Sequence, residues 1–599
     1  MTTAIEDYAF IGDRHTGALI SPEGSLDWLC LPNFDSPACF ASLLGTEEHG
    51  RWLLSPQAPA RTSRRYLPDS LVLETVHETD TGVVRVTDLM PEGSKRADVL
   101  RRIEGVRGEM RIRHEWRVRP WYGRMMPLVQ TRELHGDTAL VAVCGPDRFT
   151  LRGPRLPVVD DDGVCRDVLV VRAGEVMDFH LTWQASHRPP GRPVDLSRSI
   201  EDEVAEDSSW VDLCQYQGPY REQVRRSLLV LRHLTHARTG GMVAALTTSL
   251  PEEIGGERNW DYRYCWLRDS ALTLEALLRA GFRDKAALWR DWLIRAVAGD
   301  PTRMQIMYRI DAGFDLPERV LDHLPGYAGS RPVRIGNGAV DQRQTDVLGE
   351  VMIALEQARR AGVHESALSA CLQVELVDDL ARHWREADNG IWEIRGPLRR
   401  FTHSQVMVWV VMDIALRAVE AGDLPATGDV ATWQRVRDQV RAEVDAHGVS
   451  PTRGCFVQHD ATEEVDASLL LLPVVGFCSA TDPRFVATVQ AVEEDLLRDG
   501  MVLRYRTSSG VDGLSGAEDP FLICCFWLVT AYARMGRLAD AEALMDRLVS
   551  LPGDLGLFAE QSDANGVMLG NFPQAFSHLG LILSAYELDD ARASARQGG

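Results

Sequence analysis

Tyr220-Arg221-Glu222-Gln223-Val224-Arg225-Arg226-Ser227-Leu228-Leu229-Val230-Leu231-Arg232-His233-Leu234 is where the hydrophobic period of this chain changes. Val224, Leu228, Leu229, Leu231 and Leu234 share one stripe of a helix, since residues three, four and seven apart lie on one face. Upstream the period is two. The runs 71–76 and 83–89 flank Thr79-Asp80-Thr81-Gly82 and predict a hairpin. Met110, Ile112, Trp116 and Val118 alternate with Arg111, Arg113, Glu115 and Arg117, which predicts one buried and one wet face. The runs 139–144 and 168–183 continue the pattern, the latter broken at Ala173-Gly174. Short strands separated by turn signals suggest a β-sandwich. Pro189-Pro190-Gly191-Arg192-Pro193 and an acidic connector, 195–207, then lead to the change of period.

Downstream of it the apolar spacing stays helical. With 218–237, the candidates are 267–281, 283–298, 339–361, 366–387, 402–421, 430–447, 464–472, 483–499, 518–535, 538–550 and 572–589, about twelve in all. The expected fold is an all-β N-terminal sandwich (1–195), a linker (196–217) and an all-α domain (218–599). Twelve helices in antiparallel pairs suggest a closed double ring, six inner and six outer, with a site at one mouth. Periodicity alone equally permits an open helical solenoid.

The 599 residues suffice for two domains, one of them large. A net charge of −22 disfavours nucleic acid and anionic membranes as partners and leaves a neutral ligand unopposed. Lys95 and Lys285 are the only lysines, a bias that fits a GC-rich genome rather than a function. The first residues, Met1-Thr2-Thr3-Ala4-Ile5-Glu6-Asp7-Tyr8, carry neither a basic segment nor an apolar core, so a cytoplasmic location is expected. The longest apolar run, 467–480, is interrupted by Pro473 and Gly476 and reads as a buried segment. Eleven cysteines without CxxC spacing read as reduced, mostly buried thiols.

Three short motifs carry the chemistry. Asn389-Gly390-Ile391-Trp392-Glu393-Ile394-Arg395-Gly396 sets a carboxyl beside an indole, where desolvation raises its pKa. Phe558-Ala559-Glu560-Gln561-Ser562-Asp563-Ala564-Asn565-Gly566 sets another in polar company, where it is expected to stay ionised. One protonated acid facing one charged base is what cleavage of a glycosidic bond needs. By frequency alone, either glutamate would be a surface residue. The third motif is Arg258-Asn259-Trp260-Asp261-Tyr262-Arg263-Tyr264-Cys265-Trp266-Leu267-Arg268-Asp269-Ser270. Its arginines and aspartates suit vicinal hydroxyls, and the faces of Tyr262, Tyr264 and Trp266 suit a pyranose. A capped helix entry with core aromatics and an Arg–Asp ion pair explains the same residues. HExxH, GxSxG and Walker A patterns are absent, and His403, His459 and His578 are scattered as structural histidines are. Tyr327 and Trp409 read as core.

These motifs resemble glycoside hydrolase family 15, the glucoamylases and the related bacterial trehalase-like branch. Trp266-Leu267-Arg268-Asp269-Ser270 resembles the segment whose Arg and Asp hold the sugar in the cleaved subsite. Trp392-Glu393 resembles the general-acid motif, and Ala559-Glu560-Gln561 the general-base motif. Arg504-Tyr505, followed by Asp519-Pro520-Phe521-Leu522-Ile523-Cys524, resembles a further substrate segment and the helix after it. The opening Ile5-Glu6-Asp7-Tyr8, Ser25-Leu26-Asp27-Trp28-Leu29-Cys30 and Phe34-Asp35-Ser36-Pro37 resemble the trehalase-like branch. The resemblance spans essentially the whole chain in order. Two departures stand out: Ile394 replaces a second Glu after the acid, and Ala559 replaces Ser before the base.

The resemblance implies a β-sandwich joined to an (α/α)6 barrel and an inverting, exo-acting α-glucosidase without metal or organic cofactor. Glu393 would be the general acid and Glu560 the general base, with carboxyls about 6.5–9.5 Å apart to admit a water. Arg268, Asp269, Trp266, Tyr264, Tyr262, Trp392, Arg504 and Tyr505 would bind substrate, and the first domain would supply no catalytic carboxylate. Trehalose is the first expectation for the substrate. A glucoamylase-like action on α-1,4 or α-1,6 oligosaccharides is the alternative, while granular starch is not expected. Inverting disaccharide phosphorylases use the same kind of fold, but need no general base, and Glu560 in its motif speaks against that reading. Both carboxylates speak against an inactive sugar sensor. The oligomeric state is left open.

Overall fold

One long strand organises the N-terminal β-domain of the computed structural model, which describes residues 2–598 except 94–95, 161, 298–303, 364, 515 and 517. Ala97–Arg117 runs through both layers of an antiparallel sandwich. Its first part lies between Gly82–Leu89 and Val176–Ala185, and its second between Arg51–Pro56 and Cys165–Arg172. The change of layer falls at Gly105 and Gly108. A Cβ on Gly105 would stand 2.0 Å from the Arg172 carbonyl oxygen, and Gly108 has a φ of 62°. Only glycine meets both demands at a bend this tight. The expected hairpin forms from Leu73–Glu78 and Gly82–Leu89, with Leu73 opposite Asp88.

The wet face expected on the long strand is only half wet. Arg111 and Arg113 are exposed, but Glu115 and Arg117 are buried, because flanking segments cover them and supply charge partners. Arg51 donates to Glu115 at 3.0 Å, and Arg117 pairs with Glu48. Paired charge is what makes such burial tolerable.

Twelve α-helices follow among the described residues: α1 (Leu196–Val211), α2 (Arg221–Leu234), α3 (Leu267–Arg279), α4 (Arg283–Val297), α5 (Val347–Arg360), α6 (Ala367–His383), α7 (Thr402–Ala421), α8 (Val430–His447), α9 (Pro483–Asp495), α10 (Leu522–Arg534), α11 (Leu538–Val549) and α12 (Ala575–Gly598). The acidic connector is thus the helix α1, capped by Asp195, whose carboxylate accepts from the Arg198 amide. Within α1, Asp207 is fully buried against the Leu71 amide and His233, which ties the helix to both domains.

Helices α3, α5 and α7, the 3-10 segment Ala467–Leu471, α10 and α12 pack in succession, and α12 returns to α3. This closes the inner ring that periodicity left undecided. Helices α2, α4, α6, α8, α9 and α11 pack outside it. The burial patterns match these places. In α10 every residue from Leu522 to Ala533 is buried, whereas α8 buries only the stripe Trp433, Val436, Val440 and Val444. The molecule is therefore an all-β N-terminal domain joined to an (α/α)6 barrel. Across the seam the Trp28 indole donates to the Leu246 carbonyl (3.1 Å), and Arg263 donates to the Ser36 carbonyl (3.0 Å). No helix among the described residues is long and apolar enough to cross a membrane.

Candidate active site

The loops entering the inner helices at one end of the barrel carry the motif residues. Between α6 and α7, Gly390 and Glu393 both take positive φ, 65° and 59°. A left-handed glutamate is strained, and its surroundings hold it. The Glu393 amide donates to the Gly390 carbonyl, Asn389 Nδ2 donates to the Ile394 carbonyl (2.8 Å), and Gln342 Nε2 donates to the Glu393 carbonyl (3.0 Å). The turn presents the carboxyl to Trp266, whose indole donates to Oε1 at 2.6 Å. Burial raises the Glu393 pKa, opposed by the Arg268 charge and the Trp266 hydrogen bond. Trp392 donates to both oxygens of Asp466 at 2.9 Å and packs on Phe521 and Trp527. Ile394 is buried with Phe401 and Tyr505, so an apolar contact occupies that position.

Glu560 follows α11, where its carbonyl accepts from the amide of Leu522, the first residue of α10. Tyr262 donates its hydroxyl to Glu560 Oε1 at 2.9 Å. The other oxygen, Oε2, has no protein partner. Gly570 lies against it: a Cβ there would stand 2.6 Å from both Oε2 and the Glu560 Cβ. The polar company expected from the sequence is not what the carboxyl meets. Gln561 turns to Glu252 (3.3 Å), and Asp563 turns back to the amides of Asn565 and Val567. Glu560 is 1% exposed, and burial together with the charge of Glu252 pushes its carboxyl well above the usual carboxylate range. The expectation of a comfortably ionised base is corrected accordingly.

At the start of α3, Arg268 donates to the Ile391 carbonyl (2.8 Å) and to Asp269 Oδ2 (3.2 Å), while its guanidinium lies over Phe576 at 5.1 Å. Burial raises the Asp269 pKa, and Arg268 opposes the rise. Tyr262, Trp266, Arg268, Asp269, Trp392, Glu393, Arg504, Tyr505 and Glu560 all line one cleft of about 740 Å³. Tyr264 does not. It is buried beside the Asp261–Arg263 pair and the Asp35–Arg309 pair, because Asp261 and Arg263 are drawn into the seam with the sandwich. The third motif therefore serves two places at once. Every lining residue falls between Ala244 and Phe576, so the first domain contributes none.

The sequence reading missed one wall. Arg504 donates to Glu252 and Glu518, both at 2.7 Å, and Arg258 donates to Glu518 (2.8 Å) and Asp512 (2.7 Å). Tyr505 donates to Asp512 at 3.1 Å, and the Trp260 indole to Glu252 at 3.0 Å. Arg334 and Arg395 lie over Trp260 at 4.6 and 4.1 Å. Arg258 and Trp260 stand inside the quoted motif, and Glu518 abuts Asp519-Pro520; Glu252 has no local signal at all.

Among the described residues, Glu203, Asp207 and His233 are the one group whose donor atoms approach as metal ligands do, within 4.8 Å. They lie on α1 and α2, outside the cleft, and His233 is already bonded to Asp207 (2.9 Å) and the Gly12 carbonyl (2.9 Å). His578 is bonded to Ser227 and the Phe558 amide.

A model of the glycosyl hydrolases family 15 matches residues 218–586, and a trehalase-like N-terminal model matches residues 1–159. Trehalase of Mycobacterium tuberculosis (strain ATCC 25618 / H37Rv) is 36% identical, over 99% of this chain and 91% of its own. Trehalase of Thermoplasma acidophilum is 34% identical, over 96% and 98%. A bacterial glucoamylase solved in complex with acarbose superposes with a TM-score of 0.69 at 13% identity, covering 98% of this chain and 94% of that one, a likeness of fold.

Proposed function

The chain belongs to glycosyl hydrolase family 15, and from that premise we propose that it hydrolyses trehalose with inversion, using Glu393 as general acid and Glu560 as general base. The observation that carries the reading is the pairing of the two carboxyls, each with its own aromatic donor, in one cleft. Full-length relatives named trehalase support the choice of substrate.

Glu393, whose pKa burial raises, acts in its protonated form and donates its proton to the glycosidic oxygen as the bond to the anomeric carbon breaks. Trp266 holds Oε1, which leaves Oε2 for the substrate. Glu560, held by Tyr262 through Oε1, has Oε2 free, and the fraction of the enzyme in which this raised carboxyl is ionised takes a proton from the attacking water. Arg268 and Asp269 grip the non-reducing glucose. Arg268, Ile391 and Phe576 form the floor, and a floored cleft admits only a chain end, hence exo action. The Arg258–Arg504 wall, with Trp260 outside it, receives the second glucose.

A substrate panel of trehalose, maltose, isomaltose, kojibiose and soluble starch, with product anomers followed by NMR, tests this. Trehalose is expected to be the best substrate and to yield one β- and one α-glucose before mutarotation. Two α-glucoses would exclude inversion, and a strict need for phosphate with release of glucose 1-phosphate would replace hydrolysis by phosphorolysis.

A further inference from the structure

The barrel holds a second chamber, back to back with the cleft. Arg268, Ile391 and Phe576 line both spaces and so form the partition. The chamber has a cavity volume of about 310 Å³, at the lower end of the roughly 300–1,000 Å³ usual for small-molecule sites. Residues of α3, α5, α7, α10 and α12 line it, and Arg360 and Arg417, near the C-terminal ends of α5 and α7, mark its end away from the catalytic loops.

Its polar groups are arranged unusually. Near the outer end, Glu356 pairs with Arg360 (3.0 Å), and Asp413 with Arg417 (2.9 Å). Deeper in, Glu350 of α5 is 5% exposed and lines the space without a hydrogen-bond or ion-pair partner among the described residues. Glu275 of α3 lines it in the same unpartnered state. These two carboxyls on neighbouring inner helices have no protein partner among the described residues, so their hydrogen-bonding capacity is open to whatever fills the chamber. Trp409 and Trp527 supply aromatic surface beside them.

We propose that this chamber is a second binding site, for a neutral polyhydroxylated molecule of sugar size. Hydroxyl groups would satisfy Glu275 and Glu350, and the indoles would take the apolar faces of a ring. Burial and the neighbouring Asp346 push Glu350 up to about 8, so at neutral pH it both donates and accepts, which suits a hydroxyl better than a cation. Occupancy would reach the catalytic cleft by contact. Trp527 packs on Phe576 (5.8 Å) and on Trp392 (5.7 Å), and Trp392 precedes Glu393 in the chain.

The test is calorimetric titration of the full chain with D-glucose. The cleft has places for both glucoses of trehalose, so the chamber glucose is the one expected to survive D269A, which should weaken binding in the cleft alone. E350L and I353F should each remove the chamber site and keep the cleft site, E350L by deleting the carboxyl and I353F by narrowing the space. Circular dichroism establishes the fold of each variant, and I353F carries the test if E350L does not fold. Glucose binding lost in D269A and untouched by I353F would overturn the proposal. So would glucose that survives D269A and is unaffected by either chamber variant. A failure of the trehalose reading leaves the chamber glucose unaltered, so the two outcomes are separable.

Discussion

Tyr262 and Trp266 meet edge to face with ring centroids 5.4 Å apart, and each donates its polar hydrogen to one of the two candidate carboxyls, Glu560 and Glu393. Four residues apart in sequence, the two rings fix the two carboxyls relative to one another through a single contact. Neither carboxyl is placed by its own neighbours alone.

E393Q should lower kcat on trehalose by about 10²–10⁴-fold with KM little changed, since an amide cannot protonate the leaving oxygen. Steady-state kinetics on the purified variant checks it. Wild-type turnover would end the assignment of the acid.

Glu252 sits beside Glu560 and helps to hold its carboxyl well above the usual range. E252Q removes that negative neighbour, so Glu560 should ionise at lower pH. The acidic limb of the kcat/KM profile, which reports the base of the free enzyme, should move down in pH. An unmoved limb would leave Glu252 with a purely structural place in the Arg504 network.

D269A should leave buried donors unpaired where the sugar binds, at a cost of about 1–3 kcal/mol in transition-state binding. A fall in kcat/KM with an unchanged melting temperature is the expected result. The reverse pattern would make Arg268–Asp269 a structural ion pair.

G570A places a methyl 2.6 Å from Glu560 Oε2 at a φ of 81°. Displacing the base by a fraction of an ångström should reduce kcat, on the order of 10²-fold for a full 1 Å error. Turnover and thermal melting of the variant, measured together, separate this from global destabilisation.

Stability should fall as pH rises from about 6.5 to about 8. Burial holds Asp346 at about 7 and Glu350 at about 8, whereas unfolded carboxyls titrate near ~4. In this window the folded chain keeps protons that the unfolded chain has lost, so raising pH favours unfolding. The lowered histidines, such as His403 at about 3, act in the opposite sense, but only below the unfolded histidine value of ~6.5. Melting temperatures across the range, with E350L showing a shallower slope, check the sign.

The sequence by itself determined the change of character from β to helical periodicity and singled out the motifs that the fold brings into one cleft. Alternation of period two and stripes of period 3.6 are local consequences of backbone geometry, so they can be read without knowing what packs on what. The closed ring was not readable, because closure rests on α12 meeting α3 across some 300 residues. The environment of Glu560 was not readable either. Its sequence neighbours turn away, while Tyr262, Glu252 and Gly570 arrive from other loops. Tyr264 was misassigned for the same reason: Arg263 beside it is claimed by Ser36, from the other domain. A side chain's electrostatics depend on what lies within a few ångströms in space, and in a barrel those neighbours come from every inner helix. Chemistry types were therefore legible in the chain, and protonation states and partners were decided only by the tertiary structure.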